Sequence, residues 1–206
     1  MSTQIEGQDF TGFYDYDELE SGKLWRLSDA GRIDWFQLRT SKVFLNPLKC
    51  IINSDPKANN PLWQSDKDFM IASFSVILNG VESLGAFLSG KSQMGESHNN
   101  FKMFIDSYME EWAPLEKQLW EDFRNGMTHG FQIRNGAIEY RRGKSEKHWL
   151  RQSGGYSWLV IDPEKLLEDL EQGTKRFFEN VRNDDEAKMI FLKMIKEIYP
   201  PRKMGT

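Results

Sequence analysis

The chain is poor in the residues that staple or metallate a fold. Its 206 residues include one cysteine and three histidines. With Cys50 as the only thiol, no intrachain disulfide can form, which fits a reducing compartment. A lone cysteine of this kind is expected to be a buried, inert thiol. There is no glycine-rich phosphate loop, no H-E-x-x-H helix and no paired-cysteine spacing, which excludes P-loop nucleotide hydrolases, zinc proteases and zinc fingers. His98, His129 and His148 share no helical spacing, so no metal and no cofactor is expected. No uninterrupted apolar run approaches the roughly 18 residues of a membrane span. The acidic N-terminus also lacks the basic-then-apolar pattern of an export signal. The expectation is a cytoplasmic protein that makes no membrane contact.

What is present is an ordinary globular composition, 39% hydrophobic and 28% charged, in a length that suits one domain. The net charge of −4 argues against coating nucleic acid through bulk charge. The charge is unevenly spread, however. Between Arg124 and Arg151 seven basic residues face two acidic ones. This segment reads either as a solvated loop face or as a phosphate-binding patch, with Arg134, Arg141, Arg142 and Lys144 as its contacts.

Residues 1–27 are acidic and aromatic, with Phe10, Phe13, Tyr14 and Tyr16 set among aspartates and glutamates. They form an arm packed on the domain or on a partner chain, or a partly ordered terminus. Ser28 and Asp29 cap a helix carrying Ile33, Trp35, Phe36 and Val43, interrupted near Pro47 and continuing to Ile52. A loop follows at 55–66. The strongest helix begins with Ser65 and Asp68 as a capping box. Met70, Phe74, Ile77, Val81, Leu84 and Leu88 recur at steps of four and three, which predicts the central core helix. Its polar stripe includes Glu82, a carboxylate that needs either solvent or a cation, with Arg124 as a candidate partner.

Phe101, Ile105, Tyr108 and Trp112 define the next helix. Pro114 opens another, with Leu115, Leu119, Phe123 and Met127 inward. Asn135-Gly136 suits a two-residue hairpin turn pairing Ile133 with Ile138 and Phe131 with Tyr140. Tyr156, Trp158 and Val160 alternate as a third strand. Asp162-Pro163-Glu164 is an N-cap, a proline at the first helical position and an acid in the first turn. Its helix buries Leu166, Leu170, Phe177 and Val181. After a break at Asn183–Asp185, a last helix carries Ile190, Met194 and Ile198.

The chemistry concentrates where the Pro114 helix ends, at Arg124-Asn125-Gly126-Met127-Thr128-His129. Arginine keeps its charge and binds phosphate oxygens with a fork, and histidine moves protons near neutrality. Together they are a minimal kit for cleaving a phosphodiester without a metal. At about 100° per residue, Arg124 and His129 stand about 140° apart on an ideal helix. They converge on one ligand only if the helix unwinds near Gly126, where Gly126 and Gly130 loosen it, or if a second chain contributes. The alternative is a helix-end arginine and a histidine capping carbonyls.

This stretch resembles the R-[polar]-x-x-x-H motif of the HEPN superfamily, over roughly residues 30–198. The resemblance implies an all-α, up-and-down helical bundle; the small β-hairpin insertion after the motif helix and the aromatic N-terminal arm depart from the family's minimal domain. The chain reads as a single HEPN-like domain: the arm at 1–27, helices at 28–130, the hairpin insertion at 131–161 and C-terminal helices at 162–199. The resemblance implies a homodimer acting as a metal-independent endoribonuclease in toxin–antitoxin or phage-defence systems, partnered by RNA and by a nucleotidyltransferase-type antitoxin. Arg124, His129 and Asn125 would then be catalytic, supported by Glu82 and Thr128. Some members of the superfamily cleave nothing, which keeps open a silent interaction module or a nucleotide-binding module.

Overall fold

Apolar residues three and four apart produce the helices that make up most of the chain. The computed structural model describes residues 23–54, 67–93, 95–130, 132–141 and 143–201, with side chains from residue 70 onward in the 67–93 stretch. The arm up to residue 22, the loop at 55–66, the capping box of Ser65 and Asp68, and the side chains of Phe131 and Arg142 lie outside the described residues.

A short 3-10 turn, Lys23–Arg26, leads into α1 (Asp29–Arg39), where the Ser28 hydroxyl accepts the Gly31 N–H as the capping pattern predicts. The rod then widens into a π-turn, Thr40–Leu45, and resumes as α2 (Asn46–Ser54). Pro47 gives the reason: it has no N–H to donate, and its ring crowds the carbonyl four residues back. The wider turn just before it re-registers the hydrogen-bond ladder, so the helix passes the proline instead of ending there. Cys50 is exposed, against expectation. α2 buries Leu48 and Ile52, four apart, and Cys50 lies midway between them on the opposite face.

The central helix is α3 (Lys67–Ser89), as its periodicity predicts, with Phe74, Ile77, Leu78 and Val81 wholly buried. One expectation needs correcting here. Met70–Ser89 is 20 residues long with mean hydropathy 1.5, so by length and composition this helix is apolar enough to cross a membrane. Half of that stretch is buried inside the fold, where the helix serves as the core of the bundle. α4 (Ser97–Tyr108) lies along α3 and buries Phe101, Ile105 and Tyr108, and Trp112 follows in a 3-10 turn, Glu110–Leu115. α7 (Pro163–Asn183) and α8 (Asp185–Ile198) close the bundle. Phe36, Phe87, Phe178 and Phe191 meet at its centre, with Phe36 and Phe87 ring centroids 4.4 Å apart. Phe191 takes the inward position on α8 with Met194 and Ile195, which leaves Ile198 exposed and not in the core as its spacing predicts. The two ends of the described chain are tied by the Trp25 indole N–H, which donates to the Tyr199 carbonyl at 3.1 Å.

The turn at Asn135-Gly136 does not form a hairpin. β1 (Gly136–Ile138) instead pairs in parallel with β3 (Tyr156–Ile161), Gly136 opposite Leu159, and β2 (His148–Ser153) pairs antiparallel with β3. The order is β1-β3-β2, so the strand expected at Tyr156, Trp158 and Val160 is present and lies in the middle. The actual two-residue turn is Gly154-Gly155, both at positive φ, between paired Ser153 and Tyr156. Long-range bonds override the local Asn-Gly signal. The N–H of Arg134 donates to the Asp122 carbonyl at 3.1 Å, that of Gln132 to Gly126 at 3.2 Å, and the Asn135 amide to the Asp122 carboxylate at 3.0 Å. Residues 132–135 are thereby laid back along the motif helix. Gly136 serves close approach and not a turn, because a Cβ there would sit 2.2 Å from the Phe123 ring.

Asp162 joins this sheet to α7. Fully buried, it accepts the Glu164 N–H through Oδ1 and the Arg141 N–H through Oδ2, each at 2.9 Å. Burial pushes its carboxyl above the usual range, partly offset by those N–H groups. Because the folded value is raised, ionisation of Asp162 opposes folding, and that opposition lifts as pH falls through the folded pKa.

Two stability predictions follow from this packing. Phe74→Ala should cost about 3–5 kcal/mol in denaturant melts, the range for a deleted buried phenylalanine; a loss below about 1 kcal/mol would show an unburied face. Asp162→Ala should cost about 1–3 kcal/mol, since it leaves two N–H groups without their acceptor. A melt unchanged by that substitution would show that water replaces the carboxylate freely.

Candidate functional site

The motif helix is built in three pieces. α5 (Glu116–Gln118) runs into a π-turn, Leu119–Arg124, and then α6 (Asn125–Gly130). Pro114 sits in the 3-10 turn just before it. Leu119, Phe123 and Met127 face inward, with Phe123 packed on Phe74 of α3 at 5.6 Å between ring centroids. The π-turn moves the bond from the Asn125 N–H back to the Trp120 carbonyl, five residues away.

Arg124 closes that π-turn. Its Nη2 and Nε donate to Glu82 Oε2 at 2.6 and 3.1 Å, its Nη1 donates to the Asn125 side-chain oxygen at 3.3 Å, and its Cζ lies 4.7 Å from the Trp120 ring centroid. Only 15% of the Arg124 side chain and 20% of the Glu82 side chain is exposed. Of the two partners open to Glu82, it takes the cation. Arg124, Asn125 and Glu82 are thus brought together in one chain.

Thr128 and His129 are not part of that group. The Thr128 hydroxyl donates to the Arg124 carbonyl at 2.8 Å, a bond within its own helix. His129 is exposed and, among the described residues, has neither a hydrogen bond nor an ion pair. The helix does depart from regular α geometry, but before the arginine and not at Gly126. From Asn125 onward it is α-helical, so the divergence of about 140° between Arg124 and His129 persists. Gly126 does not loosen the helix as expected. It is buried, and a Cβ on it would lie 2.3 Å from the Gln132 carbonyl oxygen, so the glycine admits the returning chain.

Three further residues belong to this group and stand outside the motif. His98, in the first turn of α4, stacks on Trp120 at 4.9 Å with 17° between the rings. Its Nε2 lies 2.8 Å from Glu116 Oε1, and Glu116 is buried with 6% exposed. A column results: Glu82, Arg124, Trp120, His98, Glu116. Three of its five members are visible in the sequence, since Glu116, Trp120 and Arg124 recur at four-residue steps along one helix face. His98 comes from a different helix and carries no such spacing.

The basic segment is partly neutralised. Lys147 bridges Glu111 and Asp169, Arg151 pairs with Glu139, and Arg141 lies over the Trp149 ring at 3.8 Å with Glu139 at 3.9 Å. Arg134 and Lys144 are exposed, with no acidic partner among the described residues. Among the described residues no three histidine, cysteine, aspartate or glutamate side chains are grouped to hold a metal ion.

Searches against protein-family models, curated proteins and solved structures each returned no match.

The Glu82–Arg124 pair should couple strongly. Replacing Glu82 with alanine leaves a half-buried guanidinium without its carboxylate and should cost about 2 kcal/mol. A double-mutant cycle with Arg124→Ala should return a coupling of about 1–3 kcal/mol. Coupling near zero would reduce the pair to a screened surface contact.

Proposed function

We propose that this protein is a metal-independent endoribonuclease of the HEPN type, working as a homodimer. The observation that carries the reading is the contrast at the motif. Arg124 is oriented by Glu82, Asn125 and the Trp120 face, while His129 stands at the surface of the same helix without a partner among the described residues. A two-fold axis at this helix end would bring Arg124 of one chain towards His129 of the other.

In this reading the RNA 2′-hydroxyl attacks the adjacent phosphate. Arg124 stabilises charge on the phosphate oxygens, His129 transfers a proton, and Asn125 orients the arginine or the phosphate. Glu82 and Thr128 hold the arginine and its turn, and exposed Arg134 and Lys144, with Arg141 and Arg142, attract the RNA backbone. A role as a cytoplasmic toxin or phage-defence component, held in check by a nucleotidyltransferase-type antitoxin, belongs to the same reading. A second reading draws on the Glu82 contact, which neutralises Arg124 within the chain. It makes the protein a catalytically silent HEPN module that binds a partner or a nucleotide.

Cleavage of RNA by purified protein in EDTA separates the two readings. Arg124→Ala and His129→Ala should each abolish cleavage, His129→Ala with little change in melting temperature and Arg124→Ala with a lowered one, because it leaves the Glu82 carboxylate without its cation. Mixing the two variants should restore part of the activity, because a mixed dimer keeps one intact composite site. A strictly monomeric yet fully active protein by light scattering would sink the dimer, and absence of cleavage by the wild type would favour the silent module.

A further inference from the structure

Transesterification of RNA moves two protons, one off the 2′-hydroxyl and one onto the departing 5′-oxygen, and the motif supplies one histidine. We infer that His98 is the second proton-transfer group of the same site, with Glu116 as its positioning residue; this rests on the ribonuclease reading above. Both Arg124 and His98 lie against Trp120, with Cζ at 4.7 Å and the imidazole centroid at 4.9 Å from the ring, so the two functional groups are within about 10 Å of each other. Trp120 stands between the two groups in the column, so a strand that meets both runs past the edge of its ring, about the reach of one phosphodiester with its flanking ribose.

The way His98 is held also matches the task. A proton-transfer histidine works best when a third group fixes its ring and tautomer. The buried Glu116 carboxylate, 2.8 Å from Nε2, puts the proton on that nitrogen and leaves Nδ1 to exchange protons with substrate. Trp120 stacking restrains the ring plane, while 44% of the His98 side chain stays exposed to a ligand. His129 has neither restraint among the described residues. The charged groups around His98 are Glu116, Arg124 through Trp120, and Lys102, whose ammonium faces Glu116 and Asp106.

The step balances without a co-reactant. One neutral imidazole takes the 2′-hydroxyl proton as the P–O2′ bond forms. The P–O5′ bond breaks, and the other imidazolium gives its proton to the 5′-oxygen. The products are a 2′,3′-cyclic phosphate and a 5′-hydroxyl, with no change of oxidation state.

His98→Ala would leave buried Glu116 without a partner, so the informative variant is His98→Gln, whose amide can still donate to the carboxylate. The full-length protein is assayed on a short RNA in EDTA across pH, with melting temperature measured in parallel. The expected result is a bell-shaped wild-type profile, a kcat in His98→Gln lowered about 100-fold or more with KM and melting temperature nearly unchanged, and loss of one limb of the bell. Glu116→Gln should lower kcat less and shift the same limb. Wild-type cleavage that requires His129 but is untouched, in rate and in both limbs, by His98→Gln overturns this inference and leaves the ribonuclease reading standing. A wild type that cleaves no RNA overturns both. If His98→Gln melts well below the wild type, His98→Asn replaces it under the same criteria, and full activity in either variant refutes the role.

Discussion

The contact between Arg124 and Glu82 is the constraint around which the motif region is arranged. It joins a helix that passes through a π-turn to the central helix of the bundle. A half-buried guanidinium is tolerated only if its donors are used, and here three of them are, on Glu82 and Asn125, with the Trp120 face beneath. The π-turn is what lets Trp120 and Arg124 share that position while Phe123 still reaches Phe74. Core packing and site geometry are therefore set by the same six residues, Leu119–Arg124.

Two kinds of partner hold this column from outside the motif helix. Glu82 comes from α3 and His98 from α4, so the column spans a junction of three helices. The basic segment beyond it is of a different character. Much of its charge is spent on Glu111, Glu139 and Asp169, which ties the sheet to the bundle and leaves Arg134 and Lys144 exposed without an acidic partner among the described residues.

Sequence periodicity captured the helices because burial on one face is a local signal repeated many times. Phe74 to Leu84 on α3 and the Asp162-Pro163-Glu164 cap of α7 are examples. It did not capture the π-turns, since one extra residue per turn leaves the same apolar residues inward. It misread Asn135-Gly136 because a local turn preference is worth little against bonds from Gln132, Arg134 and Asn135 to a helix that precedes them. It passed over Gly154-Gly155, the true turn. At the site, Glu82 was legible as an acid needing either solvent or a cation, with Arg124 as one candidate, whereas His98 stands 18 residues from Glu116 and on another helix, beyond the reach of any spacing rule.

The parallel pairing of β1 with β3 sets a timetable for chain assembly. A parallel pair cannot be closed by a tight turn, and β1 waits for a strand that lies beyond β2 in the sequence. During synthesis from the N-terminus, the motif helix emerges complete while Gly136, which roofs Phe123, has no neighbour to pair with until Leu159 has left the ribosome. The final seating of the helix that bears Arg124 is thus deferred until β3 has been made and the start of α7 can anchor it through Asp162.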